Sequence, residues 1–122
     1  MDIYNITNGD FEYVSANIIQ DYSKEGGDMV KFTIRNIPLK HNKISFRVLK
    51  VKLSFSEFGN KFDFIENKND VFYFGGKIFN ENWRSESEIY AYVSYQIEGE
   101  DIKNIEFVMN KQEDCNFHFI GH

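Results

Sequence analysis

Cysteine, proline, tryptophan and histidine are all scarce in this chain of 122 residues, and long apolar runs are missing. The single cysteine, Cys115, excludes an internal disulfide and fits a reducing compartment. No apolar run approaches the roughly 18 residues that span a bilayer. The segment Met1–Ile6 lacks the basic start and apolar centre of a signal peptide. We therefore expect a cytoplasmic protein that does not bind membranes.

Linkers and disorder-promoting tracts are missing too. The only proline, Pro38, lies in a local turn signal, and no Pro-, Gly- or Ser-rich stretch, repeat or low-complexity segment divides the chain. A hydrophobic fraction of 42% is too high, beside a net charge of −5, for a disordered chain. The length fits one compact core. The sequence thus predicts a single domain over residues 1–122.

Catalytic and ligand motifs are also missing. No serine or cysteine lies in a nucleophile signature, and no glycine-rich loop opens a helix. Cys115 and His118 have a C-x-x-H spacing, but on a strand they point to opposite faces, and a zinc site needs more ligands. We therefore expect no metal, no cofactor and no enzymatic activity.

Short runs of alternating apolar and polar residues recur along the chain, whereas no window sustains the spacing of an amphipathic helix. The predicted strands are Phe11–Tyr22, Asp28–Ile37, Lys43–Phe58, Lys61–Ile65, Val71–Phe79, Ser87–Glu98, Ile102–Met109 and Asp114–Ile120. This pattern predicts an all-β fold, an antiparallel β-sandwich of about eight strands, with a flattened β-barrel as the alternative. The predicted core includes Phe32, Ile34, Phe46, Val51, Leu53, Ile89, Val93, Ile97, Phe107, Phe117 and Phe119.

The third predicted strand changes phase. Its apolar residues fall into two alternating sets, which are Ile44, Phe46 and Val48, then Val51, Leu53 and Phe55. Both sets can face the core only if an extra residue intervenes, so we predict a β-bulge or a sheet crossing at Val48–Leu49. The outward positions form a predicted basic face that keeps the strands soluble, with Lys43, Ser45, Arg47, Lys50, Lys52 and Ser54, joined by Lys31, Thr33 and Arg35.

Charge is unevenly divided along the chain. Residues 1–56 have a balance of +2, whereas residues 57–122, with 6 Lys and Arg against 13 Asp and Glu, have a balance of −7. An acidic surface repels nucleic-acid phosphates and attracts basic proteins. We therefore expect a basic protein partner and no nucleic acid.

The stretch ESEIYAYVSYQIE, residues 86–98, places Tyr90 and Tyr92 among carboxylates on the face opposite its apolar residues. Tyrosine and tryptophan offer apolar area while tolerating water, as at protein interfaces and sugar platforms. The opposing interpretation places both tyrosines under a loop and Trp83 in the core. The predicted partner-binding surface comprises Glu81, Trp83, Glu86, Glu88, Tyr90, Tyr92, Glu98, Glu100 and Asp101.

Two functions fit that surface. In the first, the acidic, tyrosine-bearing face covers the cationic active site of a protein such as a nuclease, and opposite charge speeds the encounter. In the second, the domain is a carbohydrate-binding module that uses Trp83 and the surface tyrosines as its platform.

Small size, acidic balance and an aromatic-rich β pattern, as in ESEIYAYVSYQIE and NENWRSESE, make the whole chain resemble a known group. It resembles the immunity proteins of bacterial contact-dependent growth inhibition and related polymorphic toxin systems. The resemblance rests on overall build and assigns no individual residue. It implies a cytoplasmic protein that binds a toxin domain delivered by a neighbouring cell, often an RNase or DNase, and blocks its active site.

Overall fold

A computed structural model describes residues 11–20, 27–36, 46–57, 59–69, 71–113 and 115–119. Within these ranges the elements are β1 Phe11–Ile19, β2 Met29–Asn36, β3 Phe46–Ser54, β4 Asp63–Lys68, β5 Val71–Gly75, α1 Lys77–Asn82, β6 Glu88–Ile97, β7 Lys103–Glu113 and β8 Asn116–Phe119. The predicted all-β fold of eight strands is confirmed. The predicted strand ends at Tyr22, Ile37, Phe58 and Ile120, and the predicted strand residues 43–45 and 114, lie outside the described residues.

The eight strands form one antiparallel sheet in the order β3-β6-β7-β8-β1-β2-β5-β4. One edge strand, β3, meets the residues that lead into the other edge strand, β4, at a bridge between Ser54 and Lys61. The Phe62 amide also donates to the Leu53 carbonyl at 2.8 Å. The sheet is therefore nearly closed and barrel-like, an arrangement between the two predicted architectures.

Alternation along each strand builds the core. In β6 every second residue from Ile89 to Ile97 is buried, and the residues between them are partly exposed. Nine of the predicted core residues are buried, namely Phe32, Ile34, Val51, Leu53, Ile89, Val93, Ile97, Phe107 and Phe117. Phe46 lies at the margin of the core, partly buried against Tyr95 with the ring centroids 5.5 Å apart. The Phe119 side chain lies outside the described part of the structure.

The predicted phase change in the third strand is confirmed as a β-bulge. Val48 pairs with Tyr95 and Lys50 pairs with Ser94, so Leu49 is the extra residue between them. The bulge allows Phe46 and Val48 before it, and Val51 and Leu53 after it, to pack against or within the core, and it leaves Leu49 41% exposed. Ile44 lies outside the described residues.

The predicted strand Val71–Phe79 is wrong in its second half, because β5 ends at Gly75 and helix α1 follows. Gly76 has a φ of 99°, a left-handed conformation that glycine adopts without strain, and it allows the abrupt change of direction. The helix turns Phe79 and Trp83, four residues apart, into the core. At six residues α1 is the only helix in the described ranges, and it is too short to cross a membrane.

Other strands also differ from their predicted limits. β3 ends at Ser54, and residues 55–57 form a bend and turn in place of the predicted continuation of the strand. β4 continues to Lys68 and β7 to Glu113, beyond the predicted ends at Ile65 and Met109. Both extensions are polar, and their residues pair with a neighbouring strand. The predicted strands end too early because the polar residues were interpreted as a turn.

Candidate functional site

The two tyrosines of the predicted surface lie on the outer face of β6, between β3 and β7. In the register, Lys52 of β3, Tyr92 of β6 and Glu106 of β7 lie side by side. Directly paired residues project from the same face of a sheet. A single surface, here called the tyrosine face, therefore combines Lys50, Lys52, Tyr90, Tyr92, Ser94, Asn104 and Glu106.

The predicted basic face is divided between two places. Lys50 and Lys52 belong to the tyrosine face, where they flank Ser94 and Tyr92. Lys31 and Arg35 lie on β2, which pairs with β1 and β5 and not with β3. The prediction of one continuous basic face is therefore wrong, because the strand order separates the two sets of side chains.

Tyr92 is tied to the turn that follows β3. Its hydroxyl donates a hydrogen bond to the Glu57 carbonyl, and the Lys61 ammonium lies 5.3 Å from the ring centroid. Burial, followed by the effect of the Glu106 carboxylate, raises the pKa of the Tyr92 phenol above its ordinary value. Burial, followed by the nearby Glu88 carboxylate, also raises the pKa of Tyr90. Both rings are half-buried and held in place.

Glu106 carries the buried charge of the tyrosine face. The residue is only 6% exposed, and its Oε2 atom has no hydrogen-bond partner among the described residues. A surface pocket of about 460 Å³ lies beside it, lined also by Lys50, Lys52 and Asn104. Neither lysine makes an ion pair with a residue that the structure describes. The proximity of Lys50 lowers the pKa of Lys52.

The predicted acidic residues form two groups at opposite ends of β6. Glu81, Glu86 and Glu88 lie near its start, whereas Glu98, Glu100 and Asp101 lie in the turn that follows its end. β6 contains 10 residues, and at about 3.3 Å per residue this separation is about 33 Å. The structure therefore does not bring the nine predicted residues into one compact patch.

The turn between β6 and β7, here called the acidic turn, consists of residues 98–102. Glu98, Glu100 and Asp101 are exposed, and the adjacent Ile102 is 55% exposed. Three contacts hold the turn: the Glu100 amide donates to the Ile97 carbonyl at 2.9 Å, Gln96 Nε2 donates to the Glu100 carbonyl at 3.1 Å, and Lys103 Nζ lies 2.8 Å from Glu100 Oε1. Carboxylates and an apolar side chain are thus presented on an ordered support.

Trp83 is not a surface residue, and its predicted role as an exposed anchor or sugar platform is wrong. The side chain is 3% exposed, and its indole N–H donates to Asp28 Oδ2 at 2.9 Å. Phe79 stacks near the indole at 6.5 Å, and the Arg84 guanidinium lies 4.3 Å from the ring centroid. The four-residue spacing from Phe79 to Trp83 was the available sequence signal for this burial.

Among the residues that the structure describes, the C-x-x-H pair belongs to no larger ligand set. Cys115 is half-buried, and its sulfur accepts a hydrogen bond from Gln20 Nε2 at 2.8 Å. Within the described ranges, no group of three or more His, Cys, Asp or Glu side chains is arranged to hold a metal ion.

Comparison of the chain with protein-family models, curated proteins and solved structures finds no significant match. The surfaces described above are therefore the basis for any statement about function.

Proposed function

We propose that this protein is an immunity protein that binds a basic toxin domain, with an RNase as the expected class, and covers its active site. The acidic turn is the observation that supports this most directly. Nucleases bind a polyanion in a cationic cleft, and an ordered acidic loop is complementary to such a cleft. Ile102 adds an apolar contact at the same place.

The hydrogen bonds of the acidic turn support the same proposal. A loop that is already fixed loses little conformational freedom on binding, and its affinity is correspondingly higher. Gly99, with a φ of 86°, allows the tight reversal between Glu98 and Glu100. No described side chain lies within 4 Å of a Cβ built at Gly99, so the turn is open to a partner.

The acidic turn is the proposed centre of the interface, and the tyrosine face its flank. A standard interface covers about 800 Å² on each partner, which is about 30 Å across. Centred on the turn, such an interface extends about 15 Å in each direction, so the group formed by Glu81, Glu86 and Glu88, about 33 Å away along β6, lies outside it. Internal hydrogen bonds hold the Tyr90 and Tyr92 side chains in place. Both rings therefore present a fixed shape to the partner and do not move on binding.

Growth rescue tests the proposal. The toxin domain encoded in the adjacent reading frame is expressed in susceptible cells, with and without this protein. We expect growth only when the protein is present, and loss of rescue in the variant Glu98→Lys/Asp101→Lys. The control Glu66→Lys/Glu113→Lys changes the net charge equally at exposed positions on β4 and β7 and should still rescue. If the folded wild-type protein fails to rescue, the proposal is wrong.

A further inference from the structure

The two edge strands leave an opening in the sheet. β3 and β4 are joined only near Ser54, Lys61 and Phe62 within the described residues. Beyond that junction the strands separate and enclose a pocket of about 460 Å³, here called the seam pocket. This volume lies within the range of roughly 300–1,000 Å³ that is typical of small-molecule sites.

The inner wall of the seam pocket is aromatic. Phe62, Phe72 and Phe74 line it and are otherwise buried in the core. At the rim, Phe64 is 58% exposed and packs edge-on against Phe74, with ring centroids 5.6 Å apart. The bulge residue Leu49 completes the rim. An apolar molecule entering the pocket would cover the rim residues Phe64 and Leu49, which otherwise contact water.

The polar groups of the seam pocket are mainly cationic. Lys50, Lys52 and Lys61 line it, together with Asn67, and no carboxylate is among the described lining residues. None of the three lysines makes an ion pair with a described residue. Lys50 lowers the pKa of Lys52 through a side-chain hydrogen bond and through the repulsion of its charge, and the charge of Lys61 adds to the repulsion. An anion placed among them would relieve that repulsion.

We propose that the seam pocket binds a small amphipathic anion, such as a medium-chain carboxylate, with its apolar body against the phenylalanines and its carboxylate among the lysines. Charge complementarity selects this class over a neutral or cationic amphiphile. The site lies between β3 and β4; it shares Lys50 and Lys52 with the tyrosine face but includes no residue of the acidic turn. The inference does not depend on the toxin-binding proposal.

Calorimetric titration of the full chain with octanoate, octan-1-ol and octylammonium tests the charge preference, because the three probes share one chain length. We expect saturable binding of octanoate, and binding of octanol weaker by about tenfold, the loss expected for a charge-assisted contact. Octylammonium should bind more weakly still. Equal affinity for all three, or no saturable binding of octanoate, would overturn the proposal.

Two substitutions at one exposed position locate the site. Leu49→Glu introduces a carboxylate at the rim and should reduce octanoate affinity by about tenfold or more, whereas Leu49→Lys should leave it unchanged or raise it. Circular dichroism establishes that both variants are folded. In NMR spectra, the changes in amide chemical shift on addition of octanoate should be largest in β3 and β4. If the chain is instead a dimer in which Leu49 and Phe64 are covered by a second copy, the pocket is an interface and the proposal fails.

Discussion

Tyr92 on β6 lies directly opposite Glu106 on β7, so a half-buried phenol and a buried carboxylate share the outer face of the sheet. The pair is flanked on the other side by Lys52, across from Tyr92 on β3. Burial of the phenol and the adjacent negative charge both favour its protonated form. The ionisation of the Tyr92 phenol therefore depends on its packing beside Glu106, so the pH dependence of stability reports on that packing.

Alkaline unfolding should depend on Tyr92. Because the pKa of the phenol is raised in the folded state, the unfolded chain ionises first, and the stabilisation is lost as pH rises above the ordinary tyrosine value of about 10. Tyr92→Phe removes this contribution. We expect urea denaturation to show a smaller loss of stability between about pH 8 and pH 11 in Tyr92→Phe than in the wild type. Parallel pH profiles would contradict the prediction.

At neutral pH, Tyr92→Phe should lower the stability of the protein. The hydroxyl donates to the Glu57 carbonyl, which the variant leaves without that donor. We expect a loss of about 1 kcal/mol in the free energy of unfolding, the usual contribution of one hydrogen bond. Equilibrium urea denaturation measures it, and an unchanged midpoint would mean that the turn after β3 is not held by Tyr92.

Glu106→Gln should not destabilise the protein at neutral pH. The substitution keeps the shape of the side chain and removes a buried charge whose Oε2 atom has no described partner. We expect the free energy of unfolding to stay within about 1 kcal/mol of the wild type or to rise, because desolvating a carboxylate is unfavourable. Glu113→Gln, at an exposed position, is the matched control. A larger loss would show that the charge of Glu106 is compensated in solution.

The burial of Trp83 can be measured by fluorescence, because it is the only tryptophan. We expect the indole emission to be blue-shifted. Soluble quenchers should reduce its intensity only after the protein unfolds. Trp83→Phe keeps an aromatic ring beside Phe79 but removes the donor to Asp28, and it should cost about 1–3 kcal/mol. Emission typical of a solvent-exposed indole in the folded protein would contradict the position of Trp83.

The β-bulge of β3 gives a further prediction. Leu49→Ser changes only the exposed extra residue, so stability should change by less than about 0.5 kcal/mol. Deletion of Leu49 removes the extra residue and leaves Val48 and Val51 on the same, inward side of a regular strand, so it should cost much less stability than deletion of Lys52, which keeps the bulge and turns one apolar set outward. Thermal denaturation compares the two deletions, and similar melting temperatures would argue against the bulge.

The sequence predicted those features that depend on residues close together in the chain. Alternation within β6 predicted its buried face, and the change of phase near Leu49 predicted the bulge, because both follow from the two-residue period of a strand. The helix was missed because Phe72 and Phe74 begin an alternating pattern that was extended through Gly76, although the spacing of Phe79 and Trp83 is helical.

The composition of the tyrosine face could not be predicted in the same way. Lys52, Tyr92 and Glu106 are far apart in the chain and become neighbours through the strand order and register. Neither property follows from local alternation. The distance between the two acidic groups, in contrast, follows from the length of the predicted strand Ser87–Glu98, because a strand rises about 3.3 Å per residue.

The central claim is that the acidic turn attracts and contacts a basic toxin domain, and the association rate tests it most directly. Binding of the toxin domain from the adjacent reading frame is measured by stopped flow at several salt concentrations for the wild type, Glu98→Lys/Asp101→Lys and the control Glu66→Lys/Glu113→Lys. We expect the acidic-turn variant to associate at least about tenfold more slowly and to lose most of its salt dependence, because screening acts over about 8 Å at physiological ionic strength. The control, with the same net charge, should remain close to the wild type. Equal slowing of both variants, or an unchanged rate in the acidic-turn variant, would contradict the claim.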